Sequence, residues 1–239
     1  ETFKNKPFLI FEANNFSYLI AQTILTTGVF YYIQFVLKLE GILAILPILL
    51  FFIMTFVFAQ PMSKLVVKYG LKKVYIYSAL LAGIGFFIGF FVGKIFIFVL
   101  IVFAFIGIGF SGISITQQAI FSDVIDYDEI LTQKRRETSY SGINALVTKP
   151  SISIANYLFL LTLALYGFQR HLKSQTPSGE LGIIVGFTIL PGIFLILSAL
   201  FLLRFPLDGA KWDEQKAQLK RIHDKKEKEY FQHLQTNDN

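Results

Sequence analysis

Six stretches of this sequence contain no Asp, Glu, Lys or Arg, and each of them is 20 to 28 residues long. A helix needs about 20 apolar residues to cross the hydrocarbon core of a bilayer. The charge-free stretches are residues 13–37, 41–63, 74–93, 95–122, 150–169 and 181–203. Membrane β-strands alternate apolar and polar residues with a period of two, and these runs do not. The sequence therefore predicts an all-α integral membrane protein and excludes a soluble enzyme, a disordered chain and a nucleic-acid-binding module.

We expect a six-helix transmembrane unit at residues 1–203 and a charged cytoplasmic tail at residues 204–239. The helices are predicted at about 8–37, 42–60, 73–93, 95–120, 140–167 and 181–203. Lys and Arg favour the cytoplasmic side of a membrane. The segments between the predicted helices fall into two sets, one on each side of the membrane. One set holds 17 of the 22 Lys and Arg, and the other holds four: Lys38, Lys94, Arg170 and Lys173. The 17 lie at the N-terminus, in the 61–72 loop with Lys73, in the 121–139 loop and in the tail. We therefore predict a multi-pass plasma-membrane protein with both termini cytoplasmic, and we attribute the net charge of +6 to its loops.

Three of the predicted helices carry polar or small residues along one face. The faces comprise Glu12, Asn15, Gln22 and Thr26; Gly107, Ser111, Ser114 and Gln118; and Gly142, Ala145, Lys149, Ser153 and Asn156. Hydrogen bonds between membrane helices explain single residues of this kind, at about 0.6–2 kcal/mol per contact. Three such faces in one chain favour a shared polar cavity.

Lys149 is the most informative of these residues. It lies about ten residues into its predicted helix, hence about 15 Å deep. An ammonium at that depth costs at least about 2.5–3.5 kcal/mol, so we expect it to face the interior and to have a partner. Pro150 cannot donate to the carbonyl of Leu146, which leaves an acceptor nearby. Glu12, by contrast, is expected to reach cytoplasmic water.

The predicted loop after the fourth helix is rich in both acids and bases. Asp123, Asp126, Asp128 and Glu129 are followed by Lys134, Arg135, Arg136 and Glu137. These groups could form ion pairs that open and close a cytoplasmic mouth, because a network of pairs can bias an equilibrium of a few kcal/mol. An Asp-rich metal site of a membrane enzyme is the alternative, since hard cations bind carboxylates. The nearby cations and the lack of a second Asp-rich segment argue against it, and we predict no metal site and no catalytic residues.

The string from Asp123 to Lys149 resembles the tenth-to-eleventh helix segment of the glycoside–pentoside–hexuronide:cation symporters. This is the melibiose-carrier branch of the major facilitator superfamily. The matching residues align without a gap: Asp123, Asp126, Tyr127, Glu129, Arg135, Glu137 and Lys149. Tyr31, Tyr32 and Gln117 also fit, and the basic 64–73 segment resembles the superfamily's loop between the second and third helices of each half.

The resemblance implies the C-terminal half of a twelve-helix carrier, built as a 3+3 inverted repeat. It implies three groups of site residues. Cation coupling would involve Lys149, Thr148 and Asn156. The substrate cavity would involve Tyr31, Tyr32, Gln22, Ser114, Gln117, Gln118, Asn144 and Ser153. The cytoplasmic gate would involve Asp123, Asp126, Tyr127, Glu129, Arg135, Arg136 and Glu137.

Two positions depart from the melibiose-carrier pattern. Ala145 replaces a Thr one turn before Lys149, which puts Na⁺ coupling in doubt. Ser114 replaces a Trp that lines the sugar site, and the single Trp of this chain, Trp212, lies in the tail. The related lysolipid carriers share the intramembrane Lys.

We therefore expect a symporter of a small solute such as a sugar or glycoside, coupled to Na⁺ or H⁺ and without another cofactor. The alternatives are a carrier of a lysolipid-like amphiphile, a membrane-embedded enzyme and a transport-inactive receptor. The expected partners are the solute, the cation, the lipid bilayer and a missing N-terminal six-helix half of the same polypeptide, and no nucleic acid. We expect about 200 further residues upstream to supply that half.

The predicted orientation can be tested by cysteine labelling, because the sequence contains no cysteine of its own. In intact cells, an impermeant maleimide should label a cysteine at position 173 and leave one at position 68 unlabelled. Labelling at position 68, or protection at position 173, would show that the orientation is reversed.

Overall fold

The structure is a computed structural model that describes residues 5–172, 174–219 and 221–223. Lys4, Lys173, Lys220 and residues 224–239 of the predicted tail lie outside the described residues. The described chain is helical and contains no strand. Its helices are α1 (Lys6–Tyr31, continued by a π-helical segment Tyr32–Leu37), α2 (Ile42–Val57), α3 (Ala59–Tyr69), α4 (Leu71–Val92), α5 (Phe96–Thr132), α6 (Glu137–Leu165), α7 (Pro177–Ile184, continued by a π-helical segment Val185–Ile189) and α8 (Leu190–Leu203).

Five helices in the described residues are long and apolar enough to cross a membrane, with α7 and α8 counted together as one. The pair α2 and α3 makes a sixth candidate, bent by 43°. The bend falls at Phe58, and Pro61 explains it because proline has no N–H to donate to the carbonyl of Val57. The single helix predicted at 42–60 is thus divided, and its second part extends to Tyr69.

Helix α5 continues well beyond its predicted end at residue 120. It spans 37 residues, from Phe96 to Thr132, and ends where Gln133 takes a left-handed conformation with φ of 56°. At 1.5 Å per residue it is about 55 Å long, whereas a bilayer core is about 30 Å thick. The acidic residues mark where the chain leaves lipid, but they do not stop a helix. The predicted 121–139 loop is therefore only a short turn before α6.

The spans pack in the order α2, α5, α4, α8, α1 and α6, each against the next, and α1 also contacts α5. Exchanging α1, α2 and α4 with α5, α6 and α8 leaves this contact pattern unchanged. The two helices at the ends of the row bury least. In α2 only Pro47 is buried. In α6 only 22% of the most apolar 18-residue stretch is buried. Polar or charged residues near the middle of α5 and α6 are also exposed, and we call the surface that they form the open face: Ser114, Gln118, Lys149 and Ser153.

Small residues allow α4 and α5 to pack closely. A Cβ atom added at Gly109 would lie 2.6 Å from the backbone oxygen of Ser78 and 2.7 Å from Cβ of Ala82. On the α4 side of the contact, a Cβ atom added at Gly85 would lie 3.1 Å from Cγ1 of Ile106. Membrane helices associate largely through such packing because lipid supplies no hydrophobic drive between them.

Gly109→Ala should therefore lower the midpoint of thermal unfolding of the detergent-solubilised protein. The added methyl meets backbone atoms that cannot rotate away, and overpacking of this kind costs about 1–3 kcal/mol. Ile101→Ala is the matched control, because Ile101 is exposed on the same helix. An equal loss of stability in both variants would contradict the close approach of α4 and α5.

Candidate functional site

Three helices meet at a polar junction formed by Asn15, Gln117 and Asn144. Gln117 on α5 donates from Nε2 to Oδ1 of Asn15 on α1, at 2.8 Å. Asn15 donates in turn from Nδ2 to Oδ1 of Asn144 on α6, at 2.7 Å. Gln117 and Asn144 were predicted to line the substrate cavity, and the structure brings them together on Asn15. We call these three residues the polar junction.

Glu12 lies one helical turn before Asn15 and does not reach water, contrary to expectation. Its exposed fraction is only 7%. Both carboxyl oxygens are buried without a hydrogen-bond partner among the described residues. Its position near the start of α1 had suggested contact with the cytoplasm, but the neighbouring helices cover it.

Lys149 is exposed on the open face and has no ion-pair or hydrogen-bond partner among the described side chains. The expectation that it faces the interior of this bundle is therefore wrong. It is the thirteenth of the 29 residues of α6, close to the middle of the helix. Ser153, also exposed, donates to the backbone oxygen of Lys149 at 3.3 Å. The same face carries the exposed Gly142 and Ala145.

The other predicted coupling residues have partners within the bundle. The hydroxyl of Thr148 donates to the backbone oxygen of Asn144 at 2.8 Å, so this hydroxyl faces its own helix. Asn156 accepts a hydrogen bond from Thr27 on α1 at 3.1 Å. Neither side chain forms an observed hydrogen bond with Lys149. The three predicted coupling residues therefore lie at separate positions along α6.

Two of the predicted cavity residues belong to the core. Tyr32 is 2% exposed, stacks on Phe187 with ring centroids 4.8 Å apart, and donates to the backbone oxygen of Gly93 at 2.6 Å. Tyr31 packs edge-on against Phe159 and Phe168. These tyrosines were placed in the cavity from their position in the sequence, but aromatic packing turns them into the protein.

Other predicted cavity residues reach the open side of the bundle. Gln22 lines a small cavity of about 120 Å³ between α1, α2 and α5, together with Thr26 and aromatic rings. Ser114 and Gln118 on α5 are exposed. The hydroxyl of Ser114 donates to the backbone oxygen of Phe110 at 2.8 Å.

The charged turn between α5 and α6 forms the expected ion pairs. Arg135 contacts Asp126 at 3.2 Å, Glu129 at 3.1 Å and Glu137 at 3.4 Å. Burial acts to lower the pKa of Arg135, but the hydrogen bond to Glu129 and the charges of Asp126 and Glu129 outweigh it, so this pKa lies above its usual value. One cation thus draws together three acids from both helices.

Arg136 forms a second ion pair, with a partner that the predicted gate set did not include. Its Nε and Nη2 atoms donate to the two oxygens of Asp128 at 2.9 and 2.6 Å. Asp128 is buried, and this forked geometry is the strong form of an arginine–carboxylate contact. Sequence spacing alone could not separate Asp128 from its acidic neighbours.

The tail docks on α5 instead of extending into solvent as a free helix. Residues 210–219 are helical, and Trp212 is 4% exposed. Its indole Nε1 donates to Oδ2 of Asp123 at 2.9 Å, and Lys216 Nζ lies 3.2 Å from Oδ1 of the same carboxylate. Trp212 also packs against Tyr127. We call the contact of Trp212 and Lys216 with Asp123 the tail latch.

Asp123 therefore pairs with the tail and not with the arginines of the turn. A cleft of about 520 Å³ lies beside the latch, between the α3–α4 corner and the first part of the tail. Further along, His223 Nε2 lies 2.7 Å from Oε1 of Glu129, which links the tail to the ion pairs of Arg135. The groups predicted to form one gate thus form two connected clusters.

A family model described as MFS/sugar transport protein matches residues 1–209. The chain belongs to this family. No curated protein matches the sequence. Members of the major facilitator superfamily (MFS) are transporters and not enzymes, and membership supports an integral membrane secondary transporter of a small-molecule solute.

The opposite end of this MFS bundle is held by one acid. Glu180 at the start of α7 lies 2.8 Å from Lys38, after α1, and 3.2 Å from Lys94, between α4 and α5. These lysines served in the sequence only as markers of the side opposite the cytoplasm. The structure shows that they also connect three separate parts of the chain.

Trp212→Phe should release the tail, because phenylalanine keeps an aromatic ring but cannot donate to Asp123. A hydrogen bond to a charged group contributes about 1.5–3 kcal/mol, which corresponds to at least about a tenfold change in docking. We expect a maleimide to label Leu219→Cys about tenfold faster in this background, since Leu219 is buried in the docked tail. Lys211→Gln, at an exposed neighbouring position, should leave the labelling rate unchanged. Equal rates in all three proteins would show that the latch does not hold the tail.

Proposed function

We propose that this chain is the C-terminal half of a cation-coupled sugar symporter that resembles the melibiose carriers. The exchange of α1, α2 and α4 with α5, α6 and α8 is the contact pattern expected of a 3+3 inverted repeat. In carriers of this architecture, the substrate site lies near the bilayer midplane, between two halves. The proposal therefore includes a second six-helix half that covers the open face, with both termini of the carrier in the cytoplasm.

Lys149 is the observation that carries the proposal. Its ammonium is exposed in the middle of a membrane-spanning helix and has no partner among the described residues. Lipid cannot solvate that charge, and its cost there is at least about 2.5–3.5 kcal/mol. A carboxylate from another part of the carrier would remove this cost. We infer that the second half supplies it.

The other groups of the open face support the same arrangement. Ser114, Gln118 and Ser153 are polar, exposed and close to the middle of their helices. The hydroxyls of Ser114 and Ser153 donate within their own helices but can still accept a hydrogen bond, and the amide of Gln118 needs a protein or aqueous neighbour. They are suited to hydrogen bonding with the hydroxyl groups of a sugar in a cavity between two halves.

The coupling mechanism that we propose follows from charge pairing at Lys149. Without a bound cation, the ammonium pairs with carboxylates of the second half. When Na⁺ or H⁺ neutralises those carboxylates, Lys149 loses its partner, and the two halves must rearrange to give it another. The backbone oxygen of Leu146, which Pro150 leaves without a helical donor, is within the same helical turn. Cation binding and rearrangement are then thermodynamically linked.

The ion pairs at the two ends of the bundle provide gates in this proposal. The tail latch and the pairs of Arg135 and Arg136 lie at the cytoplasmic end, and Glu180 with Lys38 and Lys94 lies at the other. Single exposed pairs, such as that of Arg135 with Glu137, contribute only about 0–1 kcal/mol and can break and reform without a large barrier. Asp123 and Asp128 are buried, so opening the cytoplasmic end must also expose these two carboxylates.

Transport by the full natural polypeptide in proteoliposomes tests the proposal. A panel of labelled mono- and disaccharides would be offered under an imposed Na⁺ gradient and under an imposed pH gradient. We expect accumulation of at least one sugar against its gradient, and loss of accumulation when the matching ionophore is added. Uptake of a labelled lysolipid with no sugar uptake would favour an amphiphile carrier. Binding without flux of either would favour a receptor.

Lys149→Ala should abolish concentrative uptake in this assay, because the cation-dependent charge pair is lost. Lys149→Arg should also fail, since the guanidinium is planar, bulkier and differently hydrated. Exchange of labelled sugar at equal concentrations should persist in Lys149→Ala. Lys64→Ala is the matched control, because Lys64 is exposed on α3, outside the open face. Wild-type accumulation in Lys149→Ala would reduce Lys149 to a structural role.

A further inference from the structure

Buried oxygen atoms without a hydrogen-bond partner lie around the polar junction. Glu12 leaves both carboxyl oxygens without a hydrogen-bond partner among the described residues, and Gln117 leaves Oε1 in the same condition. All three atoms are buried oxygens. Gln117 is bonded to Asn15, three residues after Glu12 on the same helix, so these oxygens belong to one small region of α1, α5 and α6.

The amide bonds observed in this region go to other amides and not to Glu12. Asn15 donates from its side chain to Asn144, and Gln117 donates from its side chain to Asn15. A buried carboxylate without a counter-charge is costly, and such a group normally becomes neutral. Binding of a proton to Glu12 removes that cost.

None of the ionisable groups on the helices around α1 neutralises Glu12 in the described structure. Helix α8 has no ionisable side chain. On α5 the acids lie at the cytoplasmic end, and Asp123, the first of them, is held by the tail latch. On α6, Tyr140 accepts a hydrogen bond from Asn5, and Lys149 is exposed on the open face. The remaining ionisable residues on α1 itself, α5, α6 and α7 are Lys6, Tyr18, Tyr31, Asp126, Tyr127, Asp128, Glu129, Glu137, Tyr157, Tyr166 after α6, and Glu180.

We propose that Glu12 is a proton-binding site of this carrier. The inference rests on the proposed function and adds to it a residue and an ion. One proton from water binds the carboxylate and forms the neutral acid, and its release restores the carboxylate; no other bond is made or broken. The new O–H is a hydrogen-bond donor, and Oε1 of Gln117 is a buried acceptor without a partner among the described residues.

A proton fits this region better than a metal ion. A proton needs one acceptor, whereas metal ions held by oxygen, such as Mg²⁺ and Ca²⁺, take about six ligands or more. Three buried oxygens are left without partners here. No group of three or more metal-binding side chains occurs in the described part of the chain.

The position of Glu12 couples its protonation to helix packing. The polar junction joins α1 and α5, which contact each other, to α6, one of the two helices at the ends of the row. Loss of the proton leaves a bare carboxylate one turn away from these bonds. Water or a rearranged amide must then reach it, and either change loosens the contact of α1 with its neighbours.

Infrared spectroscopy tests the proposal without requiring a known sugar. The probe is the proton itself, in a pH titration of the full natural polypeptide reconstituted in liposomes. The difference spectrum between wild type and Glu12→Gln should contain the C=O stretch of a carboxylic acid at neutral pH. Glu40→Gln is the control, because Glu40 is exposed, and its difference spectrum should lack that band at neutral pH. Absence of the Glu12 band at neutral pH would overturn the proposal.

Two further outcomes separate this inference from the proposed function. Loss of the band on addition of NaCl, but not of choline chloride, would overturn the proton as the occupant and assign Na⁺ to the site. With a sugar identified by the proteoliposome panel, Glu12→Gln should retain exchange within about twofold but lose accumulation driven by a pH gradient, since glutamine mimics the permanently protonated acid. Wild-type accumulation in Glu12→Gln would reject the role of Glu12 while leaving the symporter intact. A panel without any transported sugar would instead reject the proposed function.

Discussion

Lipid offers no hydrogen bonds, so each polar group within the bilayer must find its partner in protein or in an enclosed aqueous space. This constraint accounts for the arrangement of the chain. Asn15 uses its amide to join α5 and α6 to α1, and Asn14, on the next face of α1, bonds to Ser198 on α8 at 2.8 Å. Lys149 has no such partner among the described residues and lies on the open face, where the proposed second half would supply one.

The charges at the two ends obey a different rule, because water reaches them. Arg135 and Arg136 gather acids of α5 and α6 at one end, and Glu180 gathers two lysines at the other. Such contacts are individually weak where they are exposed. Alternating access requires contacts of this kind, since each end must open while the other is closed. The stronger connections, made by close helix packing and by buried amides, lie between the two ends and can remain unchanged.

Hydropathy could predict the helical class and the approximate spans, because the length of a charge-free run is set by the thickness of the bilayer. The end of α5 was missed because charge marks the edge of lipid and not the end of a helix. The clustering of opposite charges could predict that ion pairs form in the turn. It could not predict that Arg136 pairs with Asp128, because that depends on which acid the helix directs inward. The burial of Glu12 and Tyr32 could not be predicted, since it depends on distant helices. Docking of the tail was hidden for the same reason: Trp212 and Asp123 are 89 residues apart.

The tail latch has a further consequence for how this protein can be observed. Trp212 is the only tryptophan among these 239 residues, and its indole lies against the carboxylate of Asp123, nine residues before the end of α5. The emission of an indole depends on the polarity and charge of its surroundings. Because α5 is a single helix from the polar junction to the latch, a tilt of its membrane part is carried to this ring. The chain thus contains an intrinsic optical sensor of the position of α5, and changes in that position can be followed in the unlabelled protein.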